Sequence, residues 1–279
     1  MKKLIPFLIL LSTPLIGQTL DTIDGIATSS LSKTDGQTIA GASGTSPGTT
    51  NLYGAWGFDD ASGTMQDSHT TNNDITAQGT PNYSQTALTN GTSVYFDTGD
   101  SGYNIDDAGQ EAGSNEFVVA LALKLGSVAA DEYIVSKWNP TGDQRSWLVR
   151  YNNTNSSFEF LLDGDGASGG EFSVETSTTV PDATSTFFLI ASFDNSANTL
   201  DLWVSDDGAA WEKNTTSSVT SNPYDGTADF IFYGRPSAAH VGDGTVDDAF
   251  YWVGADVAFT DDNATWMLNG GSWRTYSDL

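Results

Sequence analysis

The sequence predicts an all-β protein, an antiparallel two-sheet jelly-roll sandwich with one short C-terminal helix. Its apolar segments are short, rich in β-branched and aromatic residues, and separated by clusters of Gly, Asn and Asp. Roughly ten such segments follow one another with almost no helical periodicity, which indicates strands joined by turns. The chain has 279 residues, of which 38% are hydrophobic and 11% aromatic. That is enough to bury one sizeable core, since single all-β domains often run past about 200 residues.

The first 17 residues have the layout of a secretory signal peptide. Two lysines precede an apolar run over residues 4–11, and a less apolar exit follows over residues 14–17. The run is shorter than the ~20 apolar residues that a membrane span requires. We therefore expect an exported protein, secreted or held at the cell surface, with no membrane span once residues 1–17 are removed.

An N-terminal arm, residues 18–40, contains a short internal repeat. Ile23-Asp24-Gly25 returns eleven residues later as Thr34-Asp35-Gly36, with a turn-forming Asp-Gly pair in each copy. A Gly/Ser/Thr-rich stretch without apolar periodicity, residues 41–50, resembles a linker. We expect the arm to tether the folded domain, residues 51–279, to a protein partner in a larger assembly.

The predicted strands of the domain follow in order along the chain. Each one combines β-branched or aromatic residues and ends at turn-forming residues. They are LYGAWGF (52–58), SVYF (93–96), EFVVALALKL (116–125), YIVSKW (133–138), SWLVRY (146–151), SFEFLL (157–162), TFFLIASF (186–193), TLDLWV (199–204), DFIFYG (229–234) and VDDAFYWV (246–253). The helix is predicted close to the C-terminus. Thr260 is its N-cap, Asp261 and Asp262 lie in its first turn, and Gly270 ends it.

The net charge and the lack of cysteine exclude several kinds of function. The formal net charge is -26, from 36 acidic and 10 basic residues. Such a surface repels phosphate backbones and anionic membranes, so we expect no nucleic-acid partner. A chain without cysteine forms no disulfide, thiolate metal site or cysteine nucleophile. Stability outside the cell must then come from the core, with or without a bound ion.

Four segments, in this order, resemble the LamG-like jelly roll of the concanavalin A-like lectin/glucanase superfamily. The domain opens with AWGFDDASGTMQDSHTTNND (55–74), in which Trp and Phe precede an acidic pair and an Asp-led turn. The other three segments are EFVVALALKL with the following EYIVSKW (116–138), TLDLWVSDDGAAW (199–211) and GDGTVDDAFYWVGADVAFTDDNATWMLNGG (242–271). The resemblance covers about residues 52–271 and implies a lectin-like jelly roll.

The acidic residues do not form the pattern of a glycan hydrolase. Hydrolases of this superfamily carry a Glu-x-Asp-x-Glu-like strand, on which a nucleophile and an acid lie about 5 Å apart. None of the seven glutamates forms that pattern: Glu171 and Glu175 share a face but have Ser173 between them. No Gly-x-Ser-x-Gly elbow supports a hydrolase triad either. We therefore expect a protein that is not an enzyme.

Asp247 and Asp248 stand side by side in an apolar strand. If the strand alternates regularly, Asp247 shares one face with Tyr251, and Asp248 shares the other with Phe250. Both faces are apolar, so at least one carboxylate starts inside and needs partners there. Backbone N–H groups can supply them, and so can a hard cation held by carboxylate and carbonyl oxygens.

The family resemblance gives the second alternative a specific form. Calcium-binding members hold an ion where the first and last strands meet, which would bring Asp59 or Asp60 towards the aspartate pair. The implied cofactor is a structural Ca²⁺, and its predicted ligands are Asp59, Asp60, Asp247 and Asp248. The alternative is that these aspartates pin the first strand to the last without a metal.

Two further Asp-Gly segments resemble calcium loops only superficially. LLDGDGASGG (161–170) lacks the Glu that an EF-hand has at its twelfth position, and a hairpin turn is predicted there. SDDGAAW (205–211) is one residue shorter than an Asp-box. We predict a turn with Trp211 folded over it.

A sugar-binding site should expose aromatic side chains, because a Trp face stacks on sugar C–H groups while polar neighbours bind hydroxyls. The segment KWNPTGDQRSWLVRY (137–151) combines both around a turn. The predicted ligand-binding residues are Trp138, Asn139, Asp143, Arg145 and Trp147. The competing interpretation places Trp147 in the core and lets Lys137 and Arg150 balance surface acid. A second candidate is the loop around Arg235.

The sequence thus favours an exported, non-catalytic lectin-like module that binds glycans or a cell or particle surface. The alternative is a structural or appendage protein, such as a surface-layer, adhesin or virion-associated protein, whose jelly roll contacts other proteins. A glycan hydrolase is a third hypothesis, which rests on the superfamily alone. Exposed aromatics in a groove would favour the first, and a broad flat apolar patch the second.

Overall fold

The structure is a computed structural model that divides into two compact units, Met1–Ala42 and Ser43–Leu279. It describes residues 44–69, 73–89, 91–104, 115–206, 208, 210–234, 242–255, 257, 259–268 and 273–279, and the backbone of eight residues of the arm. The predicted signal peptide and Arg235 lie outside the described residues. No helix in the described part of the chain is long and apolar enough to cross a membrane.

In the N-terminal unit, the backbone forms two short hairpins around the repeated Asp-Gly pairs. Strand β1 (Thr22–Ile23) pairs with β2 (Ile26–Ala27), and β3 (Lys33–Thr34) pairs with β4 (Gln37–Thr38). Two residues connect the strands of each hairpin, which is the connection that Asp-Gly favours. The repeat in the sequence is therefore also a repeat in backbone pairing.

The second unit is built from fifteen strands and one α-helix among its described residues. The strands are β5 (Leu52–Trp56), β6 (Thr76–Gln78), β7 (Asn82–Thr86), β8 (Thr92–Phe96), β9 (Ser101–Asn104), β10 (Glu116–Leu125), β11 (Glu132–Asn139), β12 (Gln144–Asn152), β13 (Ser157–Leu162), β14 (Phe172–Glu175), β15 (Phe187–Asp194), β16 (Thr199–Ser205), β17 (Glu212–Ser217), β18 (Phe230–Phe232) and β19 (Gly244–Gly254). The helix α1 is Asp261–Leu268.

These strands form two antiparallel sheets that face each other. The first sheet has the order β17-β16-β15-β10-β19-β8-β7, and β5 also pairs with β19. The second has the order β14-β13-β12-β11-β18-β9-β6. Alternate residues of both sheets point into a shared, fully buried core rich in aromatic rings. The predicted antiparallel two-sheet jelly-roll sandwich with a short C-terminal helix is confirmed.

The outer face of the first sheet is also buried, because the C-terminal segment covers it. Val118 and Ala120 of β10 point to this side and pack with Met267 of the helix and Trp273 beyond it. The β10 segment therefore reads as a continuous apolar run, since a strand buried on both faces has no polar alternation. The sandwich has two hydrophobic cores on opposite sides of one sheet.

The helix begins where its capping residues predict. The side chain of Asn263 accepts hydrogen bonds from the backbone N–H and hydroxyl of Thr260, both at 2.8 Å. The N–H of Asn263 returns a hydrogen bond to the hydroxyl of Thr260 at 3.3 Å. This is a capping box that uses Asn in place of Glu or Gln, and it satisfies the N–H groups of Thr260 and Asn263.

Residues 44–50, from the predicted linker, pack against the sandwich. Thr45 accepts a hydrogen bond through its carbonyl from the side chain of Asn263 at 2.7 Å. Gly48 accepts one from the indole N–H of Trp252 at 3.0 Å. Within this unit the described part of the segment is therefore attached to the helix and to β19.

Replacing Trp273 by Ala should destabilise the sandwich by about 3–5 kcal/mol, because a large side chain leaves a well-packed site. Trp273 is 2% exposed, stacks on Phe188 at 5.3 Å and donates a hydrogen bond to the carbonyl of Asp248. Chemical denaturation of both proteins measures the loss. Trp266→Ala is the matched control, with an expected cost below about 1.5 kcal/mol because Trp266 is only half-buried. Equal losses in the two variants would contradict the second core.

Candidate functional site

The structure places Trp147 in the core between the sheets, where it is fully buried. Its ring stacks on Phe117 at 5.1 Å and on Tyr251 at 5.7 Å. Trp147 pairs with Lys137 and Leu162, and this register turns its side chain inward. No ligand can stack on it from solvent, so the prediction of Trp147 as a ligand-binding residue is wrong.

The other four predicted ligand residues do not form an open aromatic site. Trp138 is 6% exposed and packs with Tyr133 and Leu148 on the outer side of the second sheet. Asn139 accepts a hydrogen bond from the N–H of Thr141 at 2.9 Å and so stabilises the turn. Arg145 lies 3.5 Å from the carboxylate of Asp143 and donates a hydrogen bond to the carbonyl of Gly166. Arg145 is therefore engaged with neighbouring loops.

A β-bulge separates Asp247 from Ala249 in β19. Leu121 of β10 pairs with Ala249, but the next residue, Ala122, pairs with Asp247, so Asp248 is the extra residue. Asp248 has a φ of 41°, in the left-handed region that non-glycine residues rarely adopt. The predicted regular alternation is therefore wrong here. Asp247 points to the outer side of the sheet.

The bulge lies where β19 changes its partner on one edge. Residues 244–246 pair with β8, and residues 249–252 pair with β5. The two aspartates fall in the gap between these partners. The loop from β7 to β8 passes this gap, and its backbone N–H groups meet the carboxylates there.

The aspartate pair holds that loop by hydrogen bonds. The Oδ2 atom of Asp247 accepts from the backbone N–H groups of Leu88 and Thr89 at 2.9 and 3.0 Å. Oδ2 of Asp248 accepts from the hydroxyl of Thr89. Oδ1 of Asp247 is buried without a hydrogen-bond partner among the described residues. The pair connects the last strand to a loop 158–159 residues earlier in the chain.

Asp59 and Asp60 reach different surroundings. Asp59 lies close to the pair, and its Oδ1 accepts hydrogen bonds from the backbone N–H and hydroxyl of Thr92. Asp60 accepts from the backbone N–H of Gln66 at 2.7 Å. Burial raises the pKa of Asp247 to about 6, and the charge of Asp59 adds to the effect. Burial, with the charges of Asp247 and Asp59, raises the pKa of Asp248 to about 7.

This arrangement does not fit a calcium ion. Calcium takes about 6–8 oxygen ligands, several of them carboxylates. Across the described ranges, no group of three or more His, Asp or Glu side chains converges well enough to hold a metal. Asp60 accepts a hydrogen bond within its own loop, and one carboxylate oxygen of Asp247 already accepts hydrogen bonds from backbone N–H groups. The four predicted ligands therefore act here as hydrogen-bond acceptors between strands and loops.

Two of these carboxylates line an open cleft of about 320 Å³, which we call the Asp59–Asp248 cleft. Trp56 and Phe250, both almost fully buried, lie at its base. Its other lining residues are Gly57, Ser68, Thr275, Tyr276 and Ser277. The cleft thus combines acidic, hydroxyl and aromatic groups at the junction of β5 and β19.

A second cleft, of about 460 Å³, lies beside Trp211 at the start of β17, and we call it the Trp211 cleft. Polar side chains line most of it: Ser177, Thr178, Thr179, Ser205, Asp206, Glu212, Lys213 and Asn214. Trp211 is half-buried, and its ring meets Trp273 edge-on at 6.4 Å. A partly exposed aromatic ring is therefore held firmly among hydrogen-bonding groups.

Glu212 fixes one wall of the Trp211 cleft. Its carboxylate accepts hydrogen bonds from the backbone N–H groups of Ser177, Thr178 and Thr179. The side chains of Thr178 and Asn214 donate two more, at 2.7 and 2.6 Å. Burial alone would raise the pKa of Glu212, but these hydrogen bonds outweigh it and lower the pKa well below its ordinary value. The wall is therefore ordered before any ligand arrives.

The sequence did not single out the Trp211 cleft as a site. It predicted a turn with Trp211 folded over it, and β16 does turn into β17 there. Nothing in the sequence indicated that the loop at 177–179, which is distant along the chain, is held at this place by hydrogen bonds to Glu212. One signal was available, since Trp211 precedes a strand of alternating polar residues, EKNTTS (212–217), that has no core face of its own.

The fold is shared with several binding domains, although sequence similarity is low. No protein-family model matches the chain, and no curated protein is similar to it in sequence. The chain is similar in structure to the binding domain of Paraclostridial Mosquitocidal Protein 1, with a TM-score of 0.58 and 12% identity over 79% of this chain and 52% of that one. It also resembles domain 4 of AbnA, a GH43 extracellular arabinanase from Geobacillus stearothermophilus in complex with arabinotriose. There the TM-score is 0.55 and the identity 15%, over 77% of this chain and 97% of that one.

A third similar structure belongs to botulinum neurotoxin type C, whose cell entry depends on interaction with two ganglioside molecules. Its TM-score is 0.55 at 11% identity, over 79% of this chain and 51% of that one. The chain thus spans about half the length of the mosquitocidal protein and neurotoxin structures and matches nearly the whole arabinanase domain. At these identities the similarity establishes the shared fold.

Asp248→Asn should remove part of the pH dependence of stability. The folded state binds protons at Asp247 and Asp248 more tightly than the unfolded chain, so the free energy of unfolding should rise as pH falls from about 7 to about 4. Glu212 has the opposite effect, but only below about pH 4.5, because its pKa is lowered. The variant keeps an acceptor for Thr89 and should lose about 2 kcal/mol of the rise. Urea unfolding across this pH range tests it, and an unchanged slope would contradict the burial of the carboxylate.

Proposed function

We propose that the sandwich is a non-catalytic, LamG-like glycan-binding module that works outside the cell. The observation that carries the proposal is the Trp211 cleft, a rigid polar groove with a partly exposed tryptophan. The same fold occurs in a domain bound to arabinotriose and in a toxin that interacts with gangliosides, which supports a carbohydrate ligand. The Trp211 cleft supports it further, because it offers a groove in which a sugar could bind.

The groove has the chemistry that sugars require. The face of an indole ring packs on the C–H groups of a sugar ring, and side-chain hydroxyl, amide and carboxylate groups bind its hydroxyls. Trp211 supplies the face, and Asp206, Asn214 and Ser205 supply hydrogen-bonding groups. Because Glu212 already orders the opposite wall, little conformational entropy is lost on binding.

Binding, and not hydrolysis, is the activity that this groove supports. A glycosidase needs two carboxyl groups that are free to act as acid and as nucleophile or base. The groove contains Asp206 and Glu212, but both oxygens of Glu212 are occupied by hydrogen bonds from the loop at 177–179. Glu212 is thus a structural acceptor, which leaves Asp206 without a partner acid among the residues that line the groove.

The net charge restricts the class of glycan. The chain carries a formal net charge of -26, which disfavours sulfated, phosphorylated and uronic acid polymers. Lys213, the cation of the groove, lies 3.1 Å from Asp261 and 3.6 Å from Asp201 and is therefore already paired. Neutral glycans are the expected ligands of the Trp211 cleft.

The second candidate function is that of an assembly protein, and the arm favours it. Its two hairpins repeat with the same register, and each has only two residue pairs. Isolated hairpins of this kind are barely stable in water, so repeats usually gain stability from neighbours. The proposal combines both functions: residues 18–40 attach the module to a protein partner after export, and the sandwich presents the glycan site.

Trp211→Ala should abolish glycan binding while the fold is retained. Removal of the indole face takes away the stacking surface, and we expect at least about tenfold weaker binding. A panel of immobilised neutral oligosaccharides, including arabino-oligosaccharides, with gangliosides as an anionic comparison, would identify the ligand. Affinity for the best ligand is then measured for both proteins.

Trp266→Ala serves as the control, because it removes another half-buried tryptophan from a different surface. It should leave the affinity unchanged. Binding that survives in Trp211→Ala would show that another surface holds the glycan. No binding to any glycan in the panel would favour the assembly function instead.

A further inference from the structure

The Asp59–Asp248 cleft presents two carboxylate oxygens that are free to bind a ligand. Oδ1 of Asp59 accepts a hydrogen bond from the backbone N–H of Thr92, and Oδ2 of Asp248 accepts one from the hydroxyl of Thr89. No hydrogen bond from the described residues reaches Oδ2 of Asp59 or Oδ1 of Asp248. Both of these atoms lie within 4 Å of a single point, the position that a Cβ atom on Gly57 would occupy.

The free oxygen of Asp248 is not an ordinary surface carboxylate. Asp248 is 6% exposed and lies in the bulge of β19, so its carboxylate is largely removed from water. Among the described residues its hydrogen-bond donor is the neutral hydroxyl of Thr89, and a buried carboxylate without a cation beside it is costly to keep charged, which favours a cationic ligand that neutralises it. No lysine or arginine is among the residues that line the cleft.

The remaining lining residues suit an ammonium group better than a metal ion. An ammonium ion donates three hydrogen bonds and is attracted to aromatic faces, whereas calcium needs many oxygen ligands. The cleft supplies two free carboxylate oxygens, the hydroxyls of Ser68 and Thr275, and the ring of Tyr276. His69 packs against that ring at 6.0 Å and helps to hold it.

The size and the polar rim indicate a small polyhydroxylated ligand. At about 320 Å³ the cleft is at the lower end of the range for ligand sites, which is about 300–1,000 Å³. We propose that the Asp59–Asp248 cleft binds an amino sugar residue, with its protonated primary amine between the two carboxylates and its hydroxyls on the serine and threonine side chains. This site is separate from the Trp211 cleft and does not depend on the function proposed for it.

The experiment compares a glucosamine trisaccharide with its N-acetylated counterpart, measured by titration calorimetry on the intact protein. Acetylation removes the charge and leaves the sugar ring. The wild type should bind the free amine at least about tenfold more tightly than the acetylated form. Asp248→Asn and Asp59→Asn should each reduce the affinity for the amine by about tenfold, since each removes one charge-assisted hydrogen bond.

The main control separates specific binding from attraction to an acidic protein. Asp225→Asn removes one negative charge from an exposed residue that lines neither cleft, and it should leave amine binding unchanged. Trp211→Ala should leave the preference for the free amine over the acetylated trisaccharide unchanged, so failure of one site can be distinguished from failure of the other. Asp59 is exposed, so its variant reports on the site even if Asp248→Asn fails to fold.

Three results would overturn the proposal. The first is equal affinity for the free amine and the acetylated trisaccharide. The second is an equal loss in Asp225→Asn and Asp59→Asn, which would show non-specific attraction only. The third is a rise in melting temperature with calcium that disappears in Asp59→Asn, which would show that the carboxylates hold a metal.

Discussion

The faces that the side chains of β19 present depend on one irregularity, the bulge at Asp248. This strand is central to the first sheet, because it pairs with β10 on one side and with β8 and then β5 on the other. Two residues, Asp247 and Asp248, lie between Val246 and Ala249. In a regular strand Val246 and Ala249 would therefore face opposite sides, yet both point into the core between the sheets. The extra residue makes that possible and leaves two carboxylates at the gap between β8 and β5.

The bulge also organises the surroundings of the Asp59–Asp248 cleft. Asp247 and Asp248 fix the loop before β8, and the carbonyl of Asp248 accepts the indole N–H of Trp273. Trp273 packs in the second core and also meets Trp211 edge-on. The two clefts are thus supported by the same C-terminal cover of the sheet, although different residues line them.

Much of the fold follows from local patterns, but the sites do not. Short apolar segments rich in β-branched and aromatic residues predicted most strands, and Thr260 predicted the start of the helix. Trp138, Trp147 and Trp211 look alike in the sequence, each next to polar residues, and only strand register decides which of them meets solvent. The bulge depends on how Asp247 pairs with Ala122, a contact between residues far apart in the chain. The loop that Glu212 orders is likewise brought to the Trp211 cleft by tertiary structure.

Deletion of Asp248 is the most direct test of the bulge. The shortened strand can pair with β10 without an irregularity, since Asp247 and Ala249 would then face Ala122 and Leu121 in sequence. Thermal unfolding should therefore remain cooperative, with a loss of about 1–3 kcal/mol for the hydrogen bonds of Asp248. Deletion of Ala120, in the regular part of β10, should abolish folding because it turns half of that strand to the wrong face. If loss of Asp248 were as damaging as loss of Ala120, the bulge could not be the feature that sets the faces of β19.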